Sequence, residues 1–131
     1  METITNARRA QIKDIVLRVL NVSGLNSLPI MLNKILKSYH IRCFSFEKMS
    51  QLGFNVDYGK NGDTIVTLDN KYIIIYNETQ SEQRIRWTIS HELGHIMLNH
   101  LRGVCADTNK EAAANYFARE LLLPLAVLDS L

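Results

Sequence analysis

The sequence predicts an α+β domain in which a short, mainly antiparallel sheet of about three strands packs with helices. Apolar residues recur at helical spacing near both ends of the chain. Between these ends lie short runs of β-branched and aromatic residues that are bounded by turn residues. The length of 131 residues and the 47% of hydrophobic residues suit a single domain with its own core, covering residues 1–131.

Two helices are predicted before the first strand. The first covers residues 5–21, because apolar side chains recur there at helical spacing, and Gly24 ends it. The second begins with Ser27 as its cap and Pro29 in its first turn, and it ends near residues 39–40. Each of these helices has one apolar face to bury.

The strands are predicted at residues 41–46, 64–68 and 71–76, with a short helical turn at residues 47–52. Asp69 and Asn70 separate the last two strands and favour a hairpin. The run Ile73-Ile74-Ile75 is apolar on both faces, so we expect protein to cover both sides of this strand in part.

The most specific motif is His91-Glu92-Leu93-Gly94-His95, which is H-E-x-x-H on a predicted helix that runs to about residue 100. Residues i and i+4 share a helix face, so His91 and His95 can offer two imidazoles to one metal ion. Glu92 lies about 100° around the helix, where it can reach a water beside the metal without being the obvious ligand. This pattern is typical of a hydrolytic zinc site with Glu92 as its catalytic base.

A catalytic zinc needs a third protein ligand and one open position. Glu111 is the first candidate, in a predicted final helix over residues 109–123 that Asp107 or Thr108 caps and Pro124 ends. Gly94 has no side chain and would let that helix approach closely. Asp107 is the alternative ligand, and Cys105 is a weaker one.

Other side chains are candidates for supporting roles. Asn115 lies one turn beyond Glu111 and either accepts the second ring N–H of a metal-bound histidine or is a plain surface amide. Tyr76 and Tyr116 are possible oxyanion donors, although both suit aromatic packing. His100 lies about 140° around the helix from His95, so we expect it to point away from the metal into solvent. Thr79 and Glu82 have the spacing of a capping box before the motif helix.

Composition excludes several classes of function. The net charge of +2 is too small to favour nucleic-acid or membrane-surface binding. The N-terminal residues do not resemble a secretory signal, and the sequence contains no apolar run of membrane-spanning length. Two cysteines form no disulfide framework. We therefore expect a cytoplasmic protein with reduced thiols and without nucleic-acid or membrane partners.

Two segments together resemble the ImmA/IrrE family of metallopeptidases. Its pattern H-E-x-G-H, followed by E-x-x-A-N-x-F-A-x-x-L-L-x-P, is filled at every fixed position by residues 91–95 and 111–124. The resemblance covers about residues 28–124 and implies a small zincin-like fold. It also implies one Zn²⁺ per chain, held by His91, His95 and Glu111.

Members of this family that are encoded on mobile elements and prophages cleave a helix-turn-helix repressor. The small size of the chain resembles that type, so the resemblance implies a zinc metalloendopeptidase whose substrate is a repressor or a similar regulatory protein. The alternative function is a zinc-bound module that binds or sequesters a transcriptional regulator without cutting it. A closed four-ligand site that includes Cys105 would indicate that alternative.

Overall fold

A computed structural model describes residues 4–103 and 105–124 of the chain. Within them, five helices and three strands follow one another as α1 (Asn6–Val22), α2 (Leu32–Ser38), β1 (Arg42–Ser45), α3 (Phe46–Gln51), β2 (Gly62–Val66), β3 (Tyr72–Tyr76), α4 (Glu82–Met97) and α5 (Lys110–Leu122). The predicted α+β class is confirmed, and the H-E-x-x-H motif lies on α4. Among the described helices, none has the length and apolar character needed to cross a membrane.

The sheet has the strand order β1-β3-β2. β2 pairs antiparallel with β3, with Thr64 opposite Ile74. β1 pairs parallel with β3, with Cys43 also opposite Ile74. The sheet is therefore mixed where a mainly antiparallel one was predicted, because α3 and β2 intervene between β1 and β3 and return the chain in the same direction. β3 is the central strand, and β2 is an edge strand.

The two faces of the sheet are covered by different elements. Ile74 is fully buried in the main core, to which α1, α2, α4 and α5 contribute. Its neighbour Ile75 points to the opposite face, where it packs with Phe46 and Met49 of α3. The expectation that both sides of β3 are covered is confirmed. The main core fixes α4 and α5 against the sheet and against each other.

Several element boundaries differ from the prediction because side chains satisfy the backbone locally. The amide and the hydroxyl of Thr79 both donate to Asn77 Oδ1, so Ser81 caps α4 instead and accepts from the Arg84 amide. Asn109 caps α5 in place of Asp107 or Thr108. Ser27 and Pro29 precede α2, which begins only at Leu32 because Met31 is extended.

Burial makes Cys43 a poor nucleophile. Its surroundings in β1 raise the pKa of the thiol to about 11. We therefore expect alkylation of Cys43 at pH 8 to be about a hundredfold slower than that of an ordinary exposed thiol, because far less thiolate is present. Labelling of a Cys105→Ser variant, followed by mass spectrometry, measures this rate. Unfolding in urea should restore ordinary reactivity, and fast labelling of the folded variant would contradict the account.

Candidate metal centre

Two imidazoles meet on one face of α4. His91 Nε2 and His95 Nε2 lie 3.1 Å apart, and the ring planes are nearly perpendicular, at 86°. The four-residue spacing produces this arrangement, because one helical turn places the second side chain above the first. Both Nε2 atoms therefore face the same small volume.

Glu111, in the first turn of α5, completes the cluster. Its carboxylate oxygens lie 2.9 Å from His91 Nε2 and 3.2 Å from His95 Nε2. The Glu111 side chain remains 72% exposed, so its carboxylate reaches the imidazoles from the solvent side. The three side chains thus bring two nitrogens and a carboxylate onto one point at the protein surface.

The residues fit a zinc ion. In tetrahedral coordination with bonds of about 2.1 Å, two ligand atoms are about 3.4 Å apart. The spacings among His91, His95 and Glu111 are 2.9–3.2 Å, close to that value. Two histidines and one glutamate are also a donor set of catalytic zinc sites, which leave one position open. Zinc bound here would have three protein ligands.

Glu92 also lies near the two imidazoles, but it is not the carboxylate closest to them. Metal-binding atoms of His91, Glu92 and His95 all lie within 4.8 Å of one another. The Glu111 oxygens lie closer to both imidazoles, whereas Glu92 Oε1 accepts a 2.7 Å hydrogen bond from the Thr64 hydroxyl. Burial raises the pKa of Glu92, and the bond from Thr64 partly offsets that rise. Glu111 is therefore the carboxylate placed to share a metal ion with both imidazoles, and Glu92 lies beside them.

Gly94 allows α5 to pack close to α4. A Cβ at this position would lie 3.0 Å from both the Cα and the carbonyl oxygen of Ala114. Real side-chain carbons are rarely so close to a backbone, so any larger residue would push the two helices apart. The close approach predicted for Gly94 is present, and it brings the helix that carries Glu111 up to the histidine pair.

We expect Gly94→Ala to lower the free energy of unfolding by about 1–2 kcal/mol. Overpacking costs about 1–3 kcal/mol, and the better helix propensity of alanine offsets part of it. Zinc affinity should fall as well, because Glu111 moves relative to the imidazoles. Urea unfolding and chelator competition measure the two effects, with Gln83→Ala on the exposed face of α4 as the control. Gains in both quantities would contradict the packing argument.

Asn115 lies beside the first imidazole. Its Oδ1 is 2.7 Å from His91 Nδ1, so the ring nitrogen that faces away from the cluster has an acceptor within reach. An N–H on Nδ1 leaves Nε2 free to bind a metal. This contact matches the acceptor role considered for Asn115 from the sequence.

His100 does not point into solvent, so that prediction was wrong. α4 ends at Met97, and Asn99 has a positive φ of 62°, which turns the chain back so that the His100 amide donates to the His95 carbonyl. The His100 side chain is 1% exposed, and its Nδ1 lies 2.8 Å from His95 Nδ1. Asparagine adopts this left-handed conformation more readily than most residues. Asn99 in the sequence therefore indicates that the helix ends before residue 100.

The alternative ligands lie away from the imidazole cluster. Asp107 directs its carboxylate to His100 and Arg8 instead of to the Nε2 atoms. The Cys105 thiol lies 3.4 Å from the carbonyl oxygen of Asp107. Neither residue is in the group of His91, Glu92 and His95 that could hold a metal.

The two tyrosines considered as oxyanion donors do not line the cleft beside the cluster. Tyr116 is buried in the main core, with the guanidinium groups of Arg9 and Arg119 at 5.4 and 5.7 Å from its ring centre. Tyr76 ends β3, and burial raises the pKa of its hydroxyl. Both tyrosines are close to the motif in sequence. However, Tyr116 lies on a face of α5, and Tyr76 on a face of β3, that does not point into the cleft.

An open cleft of about 520 Å³ lies over the cluster. One wall comes from the start of β2 and the loop before it, and the other from α4 and α5; the lining includes Lys60, Gly62, Arg84, Trp87, Lys110 and Asn115. Buried Asn77 holds the loop in place, because its amide donates to the carbonyls of Tyr58 and Lys60. The sequence alone did not indicate this role.

Comparison with known families agrees with this site. The family model of the IrrE N-terminal-like domain, Peptidase_M78, matches residues 37–131, which is well over half of the chain and includes every residue of the cluster. Neither the search of curated proteins nor that of solved structures finds a match. The matched segment, the H-E-x-x-H helix and the cluster of possible metal ligands agree with one another, and the chain belongs to the ImmA/IrrE family of metallopeptidases.

Proposed function

We propose that the protein is a zinc-dependent endopeptidase that cleaves a helix-turn-helix repressor or a similar regulatory protein. One observation carries the proposal: two imidazoles and the Glu111 carboxylate converge at the floor of an open cleft, with buried Glu92 beside them. A zinc that only stabilised a fold would be enclosed by four protein ligands.

His91, His95 and Glu111 would hold the zinc ion. When bound, zinc supplies a Lewis acid for the scissile carbonyl and makes a water more acidic. Glu92 accepts the proton of the attacking water and later delivers it to the leaving amine. Burial favours the protonated form of Glu92, which suits a group that must release its proton again. Thr64 orients the Glu92 carboxylate through its hydroxyl.

The side of β2 that faces away from β3 pairs with no other strand among the described residues, and it is suited to an extended substrate. β3 is the central strand and pairs on both sides, so it offers no free edge to a substrate. β1 and β2 are both edge strands, and the first residues of β2, Gly62 and Asp63, line the cleft. Backbone pairing along β2 would hold a substrate segment in an extended form across the metal centre. This favours cleavage in a flexible or locally unfolded segment.

The resemblance to mobile-element members of the family supports a repressor as the substrate. A stably folded helix-turn-helix domain would have to expose an extended segment before it could lie along β2. A linker beside such a domain meets that requirement without unfolding, so we expect the cut in a linker or at a chain end. Separation of the DNA-binding domain from the rest of the repressor would switch on gene expression.

The test is to choose a helix-turn-helix regulator whose gene lies next to that of this protein, to mix it with the zinc-loaded protein and to identify fragments by mass spectrometry. We expect one or a few defined cuts in the regulator and none after zinc is removed by a chelator. Restored cleavage on addition of zinc is the control. An intact regulator in a stable complex with the zinc-loaded protein would contradict the proposal and support the alternative of a non-catalytic binding module.

Thr64→Val is expected to lower kcat/KM about tenfold and to leave zinc affinity unchanged. A hydrogen bond to a charged group contributes about 1.5–3 kcal/mol, and part of this orients Glu92. Because the bond lowers the pKa of Glu92, its loss raises that pKa, so activity should disappear at a higher pH as the solution is acidified. Rate profiles against pH measure this shift. Thr64→Ser keeps the hydroxyl and should behave as the native protein, whereas equal defects in both variants would contradict the role of the bond.

A further inference from the structure

A buried chain of polar contacts leads from the metal centre to the N-terminal helix. His95 Nδ1 lies 2.8 Å from His100 Nδ1, and His100 Nε2 lies 2.7 Å from Asp107 Oδ2. Arg8 donates to both oxygens of Asp107, from Nε and from a terminal nitrogen, each at 2.9 Å. The side chains of His100 and Asp107 are 1% and 6% exposed. Every link has the length of a strong hydrogen bond.

If His100 carries a single ring proton, only one assignment of hydrogen-bond donors and acceptors fits this series of contacts. The guanidinium of Arg8 can only donate. Its bonds hold the pKa of Asp107 below the ordinary value, so the carboxylate is ionised and can only accept. His100 must then donate from Nε2, which leaves its Nδ1 as an acceptor. His95 Nδ1 therefore donates, and His95 Nε2 keeps its lone pair on the side of Glu111.

We propose that Arg8, Asp107 and His100 are positioning residues that hold His95 in the tautomer and orientation required to bind the metal. The proposal depends on the role of His95 as a ligand in the proposed function, but not on hydrolysis. Through Arg8, α1 would then be part of the support of the metal centre. The family match begins at residue 37, so α1 contributes to the site from outside the matched segment.

The two histidine ligands would then be supported in different ways. His91 donates to the neutral amide of exposed Asn115 at the rim of the cleft. His95 donates to buried His100, and this series of contacts ends on the Arg8–Asp107 ion pair, so solvent competes less for the hydrogen bonds of His95 than for those of His91. A carboxylate at the end of such a chain makes the histidine a better metal ligand. We therefore expect the larger effect on zinc binding from the His95 side.

Arg8 is held in place by its own helix. The Arg8 amide donates to the Thr5 hydroxyl at the N-cap of α1, and a terminal nitrogen donates to Gln11 Oε1. The bond to Gln11 helps to orient the guanidinium toward Asp107. Any change that moves the first turns of α1 would loosen Asp107 and, through His100, the ligand His95.

The test is the zinc dissociation constant, measured by competition with a chromophoric chelator. We expect Asp107→Asn and His100→Ala to weaken zinc binding by about 10- to 100-fold, as is usual for residues that support metal ligands. Arg8→Gln should weaken it about three- to tenfold, because it acts one step further away. Arg18→Gln makes the same change at an exposed position of α1 and should have no effect. His100→Gln restores an acceptor and a donor and should recover part of the affinity lost in His100→Ala.

A purely structural role is separated from positioning by a second readout. In the zinc-loaded native protein, NMR of ¹⁵N-labelled histidines should show a His95 Nδ1–H that exchanges slowly with solvent and that exchanges faster in Asp107→Asn. Folded variants with zinc affinity within about twofold of native would overturn the proposal. So would equal effects of Arg8→Gln and Arg18→Gln, a comparison that remains available if the buried variants do not fold. Absence of hydrolysis with these zinc affinities as expected would instead overturn only the proposed function.

Discussion

The Glu92→Gln variant is expected to retain zinc, while its rate of hydrolysis falls by about 10²- to 10⁴-fold, the range for removal of a general base. Glutamine has nearly the same shape, and its amide oxygen can still accept the bond from Thr64. It cannot take a proton from the attacking water. Zinc should remain bound because its proposed ligands are His91, His95 and Glu111, which the substitution leaves in place.

Cleavage rates of the regulator and zinc content by atomic emission measure the two effects. Glu82→Gln, in the first turn of the same helix, is the control and should be fully active. Native rates in Glu92→Gln would exclude Glu92 as the base. Loss of zinc from that variant would indicate that Glu92 is itself a ligand.

Glu111→Ala is expected to weaken zinc binding by at least about a hundredfold, more than the loss of an outer hydrogen bond costs. Only two imidazoles would remain, and two protein ligands seldom hold a catalytic zinc. The Glu111 side chain is 72% exposed, so its removal should change the free energy of unfolding of the metal-free protein by no more than about 0.5 kcal/mol.

Chelator competition measures the zinc affinity, and Glu120→Ala on the same helix is the control. Native affinity in Glu111→Ala would place the third ligand elsewhere, with Asp107 as the first alternative from the sequence and Glu92 as the first from the geometry. Paired results from the Glu92 and Glu111 variants therefore assign base and ligand separately.

The parts of the site that were predictable depend on local geometry or on the family pattern. His91 and His95 meet because residues four apart share a helix face, which holds in almost any protein. The close approach at Gly94 followed from its missing side chain. Glu111 was a candidate from its place on the following helix, and the family pattern then favoured a ligand over a helix N-terminal carboxylate at that position.

The parts that were not predictable depend on where the chain turns and which elements become neighbours. His100 was misplaced by assuming that α4 continued, whereas Asn99 reverses the chain after Met97. Arg8 meets Asp107 across 99 positions of sequence, and no periodicity relates them. The edge position of β2 arises from a parallel pairing of β1 with β3 that strand patterns do not indicate.

The most direct measurement is a crystal structure of the zinc-loaded protein, with the metal identified by anomalous diffraction at the zinc edge. We expect one zinc per chain, bound by His91, His95 and Glu111, with a fourth position open to the cleft on the side of Glu92. A fourth protein ligand such as Cys105, or Glu92 in place of Glu111, would contradict it.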